Sequence, residues 1–195
     1  MFNNELRDGT ENEYLPTLER YRQQGRVYVE LRYCMTCNRN QPLRAKHCRK
    51  CEHCIATHDH HCPWLGNCVG ERNKRFFFCY LICQQILIGV LTALAVRLIV
   101  MNRYKVVGWI FTIIGAIFSL FVLNLIIFHC YLLPQNITTW EFLSWSKVSY
   151  LKEWPKRFGS PFNLGLMQNL KLVFGYNNQS GNHFIWKMPL RRPDY

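Results

Sequence analysis

Seven cysteines and five histidines lie between Cys34 and Cys68, and near its end the run reads Asp59-His60-His61-Cys62. Thiolates and imidazoles are metal ligands by type. A CxxC turn offers two sulfurs to one ion, and zinc takes four N or S donors in a tetrahedron. Setting Cys62 aside leaves Cys34, Cys37, Cys48, Cys51, Cys54 and Cys68; with His47 and His61 these make eight ligands, enough for two Cys3His sites. The alternative is a disulfide knot, which requires an oxidising compartment. CxxC pairs interleaved with histidine favour metal and a reducing, cytosol-facing setting. His53 and His58 are surplus and read as surface residues or supports of the ligands. Cys62 is the cysteine the count does not need. A free thiol titrates near ~8.5, lower beside an imidazole, and a carboxylate next to a histidine fixes its tautomer and supports its use as a base. Spacing alone leaves Cys62 as either a reactive thiol or a spare ligand.

The elements that must position this cluster differ sharply in composition. Residues 1–30 are polar, with Pro16 and Gly25 as breakers, and read as a lead-in; residues 1–33 hold no apolar signal-peptide core. Residues 31–75 are poor in aliphatic side chains and cannot bury enough surface to fold unaided. Each bound zinc supplies folding free energy on the order of 10 kcal/mol. Residues 76–100 and 106–133 are apolar runs longer than the ~20 residues that span a bilayer. Gln84, Gln85 and Arg97 interrupt the first, and Pro134 ends the second. Arg97 lies near its helix end and can snorkel. Met101 to Lys105 leaves room only for a tight turn. The fold class expected is therefore membrane α-helical: a transmembrane helical hairpin with both termini on one side, carrying a small zinc-stapled cytosolic domain of irregular and β-hairpin structure. Two core helices of a soluble protein are the alternative that their length disfavours. Basic residues flank both ends of the pair, and the positive-inside rule favours the cysteine-rich side as cytosolic. Cys79, Cys83 and Cys130 read as small packing residues within the spans. Residues 134–195 form a mixed C-terminal region in which Leu166, Leu170, Val173 and Phe174 fall at helical spacing. This predicts a short amphipathic helix lying on the membrane or packed in a small core. The sequons at Asn136 and Asn178 are chance matches on this topology. Net charge is +12, with 24 Lys and Arg against 12 Asp and Glu, which suits an anionic partner such as lipid headgroups or phosphates.

The stretch from Cys34 to Phe77 resembles the DHHC cysteine-rich domain of protein S-acyltransferases, the palmitoyltransferases. It reads CxxC, nine residues, HCxxCxxC, four residues, DHHC, five residues, Cys68, four residues, Asn73, three residues, Phe77. Thr138-Thr139-Trp140-Glu141 is similar to the family's Thr-Thr-x-Glu motif, and Asn169 before Phe174 or Tyr176 resembles its C-terminal Asn-aromatic signature. The resemblance implies that Cys62 accepts an acyl chain from palmitoyl-CoA as a thioester and passes it to a substrate cysteine. It makes His60 the general base, Asp59 its orienting carboxylate and His61 a zinc ligand. One zinc would take Cys34, Cys37, His47 and Cys54; the other would take Cys48, Cys51, His61 and Cys68. Trp64 would lie near the acyl carbonyl, with Arg44 and Lys46 against the CoA phosphates. The implied partners are the bilayer, acyl-CoA and cytosol-facing proteins with cysteines near the membrane. The implied setting is an endomembrane, Golgi or ER. Family members usually carry two membrane helices before the cysteine-rich domain, and this chain is expected to be a fragment or shortened form. The competing reading is a catalytically silent membrane zinc module that binds partner proteins. A nucleic-acid-binding zinc protein, suggested by the basic charge, is disfavoured by the membrane helices.

Overall fold

The computed structural model describes residues 32–152 and 154–175. The expected lead-in over 1–30 and the sequon at Asn178 lie outside these. Contacts divide the chain into two compact units, one running up to Lys74 and resuming at Leu132, the other covering Arg75–Tyr131.

The first unit begins with three β-hairpins: β1 (Arg32–Cys34) with β2 (Arg39–Gln41), β3 (Lys46–Cys48) with β4 (His53–Ile55), and β5 (His60–Cys62) with β6 (Asn67–Val69). Each pairs antiparallel in the same register, and equivalent positions recur at a constant step of 14 residues: Cys34, Cys48 and Cys62 end the first strands. Each tight turn places one residue in the left-handed region, at Asn38, Glu52 and Gly66. That conformation is easy for glycine and tolerable for asparagine. Three-residue strands bury too little to hold a hairpin together in water. What they enclose is mainly sulfur and small residues: Cys34, Ala45, Cys54 and Ala56 in one cluster, Cys48, Ile55 and Cys68 in the next.

The C-terminal part of the same unit is tied by polar contacts. Helix α3 (Thr139–Leu143) opens with a capping box, in which the Thr138 side chain accepts from the Glu141 N–H and the Glu141 carboxylate accepts from the Thr138 N–H. Helix α4 (Leu166–Phe174) forms where the apolar spacing predicts a helix, but its expected apolar face is not what buries it. Leu166 is 59 % and Phe174 41 % exposed, whereas Asn169 is fully buried. The Asn169 amide donates to the Pro134 carbonyl and to Asn163 Oδ1, and accepts from the Leu164 N–H. Asn136, in the first sequon, is also buried, with its amide committed to Arg44 and the Phe162 carbonyl.

The second unit consists of α1 (Lys74–Val100) from Arg75 onward and α2 (Lys105–Leu132) up to Tyr131. At 1.5 Å per residue each is about 40 Å long, more than the ~30 Å hydrocarbon core of a bilayer. Their partners run in opposite directions along the two sequences. The Gln85 amide donates to Ser119 Oγ, a Cβ on Gly115 would meet Thr92, and one on Gly108 would meet Ile99. The helices are thus antiparallel, with backbones close wherever a glycine faces the neighbour. Only 17 % and 11 % of their most apolar windows is buried. Core helices of a soluble protein would be covered. Apolar side chains exposed over most of each helix suit a lipid solvent. Cys79, Cys83 and Cys130 are exposed on these helices.

Candidate metal centres and a cysteine outside them

The hairpin repeat explains how eight ligands divide. Strand alternation sends neighbouring side chains to opposite faces. His47 and Cys54 are directly opposite in the second hairpin, and His61 and Cys68 occupy the equivalent pair in the third. Each such pair converges with the CxxC turn of the preceding hairpin. Cys34, Cys37, His47 and Cys54 gather their donor atoms within 4.8 Å of one another, as do Cys48, Cys51, His61 and Cys68. In the first cluster His47 Nδ1 lies 3.5 Å from Cys34 Sγ and 3.3 Å from Cys37 Sγ. In the second, His61 Nδ1 lies 3.6, 3.3 and 3.7 Å from the sulfurs of Cys48, Cys51 and Cys68, and Cys51 and Cys68 are 3.6 Å apart. A tetrahedron with Zn–S of about 2.3 Å and Zn–N of about 2.0–2.1 Å has edges of roughly 3.6 Å (S–N) and 3.8 Å (S–S). The donor sets therefore fit zinc in kind, number and spacing.

The thiols of each cluster are electrostatically unequal. Burial raises Cys34 and Cys48, but the backbone N–H groups of their CxxC turns and neighbouring thiols outweigh it, and both end below the ordinary thiol value. Burial pushes Cys54 up to about 12 and raises Cys68 as well. A protonated Cys54 or Cys68 gains most from a cation that takes its proton's place.

Cys62 belongs to neither cluster. It holds the third-hairpin position of Cys34 and Cys48, but the second cysteine of the turn is replaced by Leu65, and among the described residues no fourth hairpin follows to complete a site. The thiol is buried, at 5 % exposure. Alternation along β5 turns His61 to the second cluster and leaves His60 and Cys62 on the other face, about 6.6 Å apart along the strand. His60 Nδ1 is 2.8 Å from Asp59 Oδ2. The Asp59 carboxylate is fully buried; its Oδ1 accepts from the Thr139 N–H at 3.1 Å and lies 3.3 Å from Lys74 Nζ. The Asp59 carbonyl accepts from the Trp140 N–H. The carboxylate is thus an acceptor throughout, and a proton on His60 Nδ1 satisfies its Oδ2. Asn73 clamps the following loop, donating to the Cys68 carbonyl and accepting from the Gly70 N–H. Phe77, in the second unit, stacks edge-on against His129 there.

Two sequence expectations need correcting. Arg44 is no phosphate ligand: its side chain is wholly buried, with Nε and a terminal nitrogen on the two Glu141 oxygens at 2.7 and 2.6 Å and further bonds to Asn136. The Tyr150 hydroxyl also donates to Glu141. Arg44 is therefore the bolt between the hairpins and α3. His58 is not a surface residue. It is 6 % exposed and edge-on to Trp140, and burial first, then the Lys46 charge, lowers it to about 4. Lys46 is half-buried with its ammonium 4.8 Å above the Trp140 ring, and desolvation lowers its pKa. Trp64 stands 78 % exposed on the turn after Cys62.

Sequence reasoning missed Lys74, which reads as one more flanking charge, and it missed the Arg44–Glu141 pair. The 14-residue step was visible in Cys34, Cys48 and Cys62. The long-range pairs carried no local signal.

Comparison with known proteins agrees with this geometry. The family model for DHHC palmitoyltransferase matches residues 27–146. Human palmitoyltransferase ZDHHC12 is 39 % identical over 155 residues, covering 75 % of this chain and 56 % of the relative. A putative ZDHHC-type palmitoyltransferase 7 of Dictyostelium discoideum is 35 % identical over 71 % of this chain and 33 % of its own length. A probable protein S-acyltransferase 5 of Arabidopsis thaliana is 35 % identical over 77 % of this chain and 33 % of its own length. The chain thus spans a third to just over half of these relatives. With its match running from the hairpins through the Thr-Thr-x-Glu segment, the chain belongs to the DHHC palmitoyltransferase family.

Proposed function

We propose that this chain carries the acyl-transfer centre of a protein S-acyltransferase, with Cys62 as the acyl carrier. The observation behind this reading is that Cys62 is the one cysteine of the hairpin region left outside both metal clusters, on the same strand face as a histidine bonded to a buried carboxylate. His60 Nε2 takes the Cys62 thiol proton. The thiolate attacks the acyl-CoA carbonyl, a new S–C bond forms, the bond to the CoA sulfur breaks, and CoA leaves with the proton. A substrate thiol then attacks the Cys62 thioester in the same way, and Cys62 recovers its proton.

Cys34, Cys37, His47 and Cys54 would hold one zinc; Cys48, Cys51, His61 and Cys68 would hold the second. Zinc supplies folding free energy there. Lys46 and the exposed Trp64 are the remaining groups for acyl-CoA, since Arg44 is committed to Glu141. Helices α1 and α2 would cross an endomembrane, with the hairpins and the chain beyond α2 on the cytosolic side. A palmitoyl chain buries ~14 methylenes at about 0.8 kcal/mol each, so its donor is concentrated at a bilayer. Cys62 lies only twelve residues before Lys74, where the first of these helices begins.

The test is to incubate membranes carrying the chain with a clickable palmitoyl-CoA, beside Cys62→Ser. Hydroxylamine-labile label confined to the parent is expected. Equal label in Cys62→Ser contradicts the reading.

A further inference from the structure

We propose that Lys74 is a positioning residue for the Asp59–His60 pair: its ammonium, with the Thr139 amide, occupies one carboxylate oxygen so that the other is left for His60. This rests on the role of Cys62 and His60 given above. Lys74 opens α1 but belongs to the hairpin unit. Its side chain is only 9 % exposed, and Nζ lies 3.3 Å from Asp59 Oδ1 and donates to the Ile137 carbonyl at 3.2 Å. A buried ammonium or carboxylate is costly without an opposite charge, so each makes the other tolerable.

The geometry does more than neutralise. A carboxylate with a single donor can turn about its Cβ–Cγ bond and present either oxygen. Asp59 has donors on both sides: Lys74 Nζ and the Thr139 N–H at Oδ1, His60 Nδ1 at Oδ2. Lys74 also grips the Ile137 carbonyl, two residues before the Thr139 amide. One ammonium thus holds Asp59 and the segment that brings its second donor. Without it, Oδ1 loses its cation and the Thr139 amide sits on a slackened segment, so the His60 ring loses its fixed partner.

The experiment uses the full chain loaded with two zinc ions, with 15N-labelled histidine, beside Lys74→Met and Lys74→Arg. The resonance of the His60 Nδ1–H, identified by its absence in His60→Gln, reports ring position without any acyl transfer. The single-turnover rate of Cys62 acylation is measured over a range of palmitoyl-CoA concentrations. K74M is expected to lose the His60 resonance and at least tenfold in rate at saturation, with half-saturation within twofold and zinc unchanged. K74R, which keeps a cation, is expected to regain the resonance and at least a third of the rate. Because Lys74 acts through Asp59, K74M in an Asp59→Asn background is expected to change the rate by less than twofold. Persistence of resonance and rate in K74M overturns the proposal. So do losses that multiply with Asp59→Asn, or a K74M chain that loses zinc along with rate. If the parent forms no Cys62 adduct while K74M still loses the resonance, the acyl-transfer reading fails and the positioning role stands.

Discussion

The second and third hairpins are built on one plan, yet one ends its first strand on a cysteine inside a metal-ligand cluster and the other on a cysteine outside both. Both place a histidine opposite a cysteine, His47 with Cys54 and His61 with Cys68, and both finish their first strand on a cysteine, Cys48 or Cys62. Cys48 has Cys51 three residues on and a following hairpin that brings a histidine–cysteine pair to it. Cys62 has Leu65 and, among the described residues, no such successor. Cys62 is thus held outside the metal clusters by the same backbone that holds a ligand in the hairpin before it. The lesson is that the same backbone turn can set one cysteine inside a metal-ligand cluster and the next outside it, with no new scaffold.

The sharpest way to break this comparison is to make the same change in both hairpins. Cys48→Ser removes a ligand from a site whose ion contributes on the order of 10 kcal/mol, so zinc is expected to fall from two per chain to one or fewer and the hairpin unit to lose its fold. Cys62→Ser is expected to leave zinc at two per chain and stability within about 1 kcal/mol, since it removes no ligand. Metal analysis and limited proteolysis of the two variants side by side decide it. Cys62→Ser losing as much zinc as Cys48→Ser would make Cys62 a ligand.

A smaller loss tests the bolt that holds the hairpins to α3. Arg44→Met leaves the buried Glu141 carboxylate without its cation, which costs about 3–5 kcal/mol. Thermal melting is expected to fall, with two zinc ions retained below the transition. An unchanged melt would mean that the pair is not holding these elements.

His58, between the two hairpins, gives the comparison a pH dependence. Its folded pKa is lowered to about 4 from 6.5, so the unfolded chain binds a proton that the folded chain refuses. The sign follows: stability is complete above pH 6.5 and is lost as pH falls toward 4. The full shift corresponds to roughly 3 kcal/mol. His58→Phe, which keeps an aromatic edge against Trp140, is expected to flatten that decline. Parallel pH-stability curves for parent and variant would contradict it.

The mildest change completes the third turn. Leu65→Cys restores a CxxC at Cys62, but two sulfurs without a following pair are half a site. Zinc is expected to stay at two per chain. A third stoichiometric zinc would show that the repeat needs no successor hairpin.

Much of this was legible in the sequence because it is local. Residue type and CxxC spacing pointed to metal, hydropathy to two long helices, and the ligand count to a surplus Cys62. What escaped depends on chain segments meeting from afar. Arg44 reads as a solvated or phosphate-binding charge because its partner, Glu141, is 97 residues away. Lys74 reads as flanking charge because Asp59 is met only when the hairpins are folded. In α4 the apolar spacing drew attention to Leu166 and Phe174; Asn169 was singled out by resemblance alone, and its anchoring bond to the Pro134 carbonyl, 35 residues away, carried no local signal.

The most direct test of the central claim measures two quantities on one sample: zinc per chain and hydroxylamine-labile acyl label at Cys62 after exposure to palmitoyl-CoA. The account predicts two zinc ions together with label at Cys62, and, in Cys62→Ser, two zinc ions and no label. Label that survives in Cys62→Ser, or zinc that falls with it, would contradict the assignment of Cys62 as the thiol the metal sites leave free.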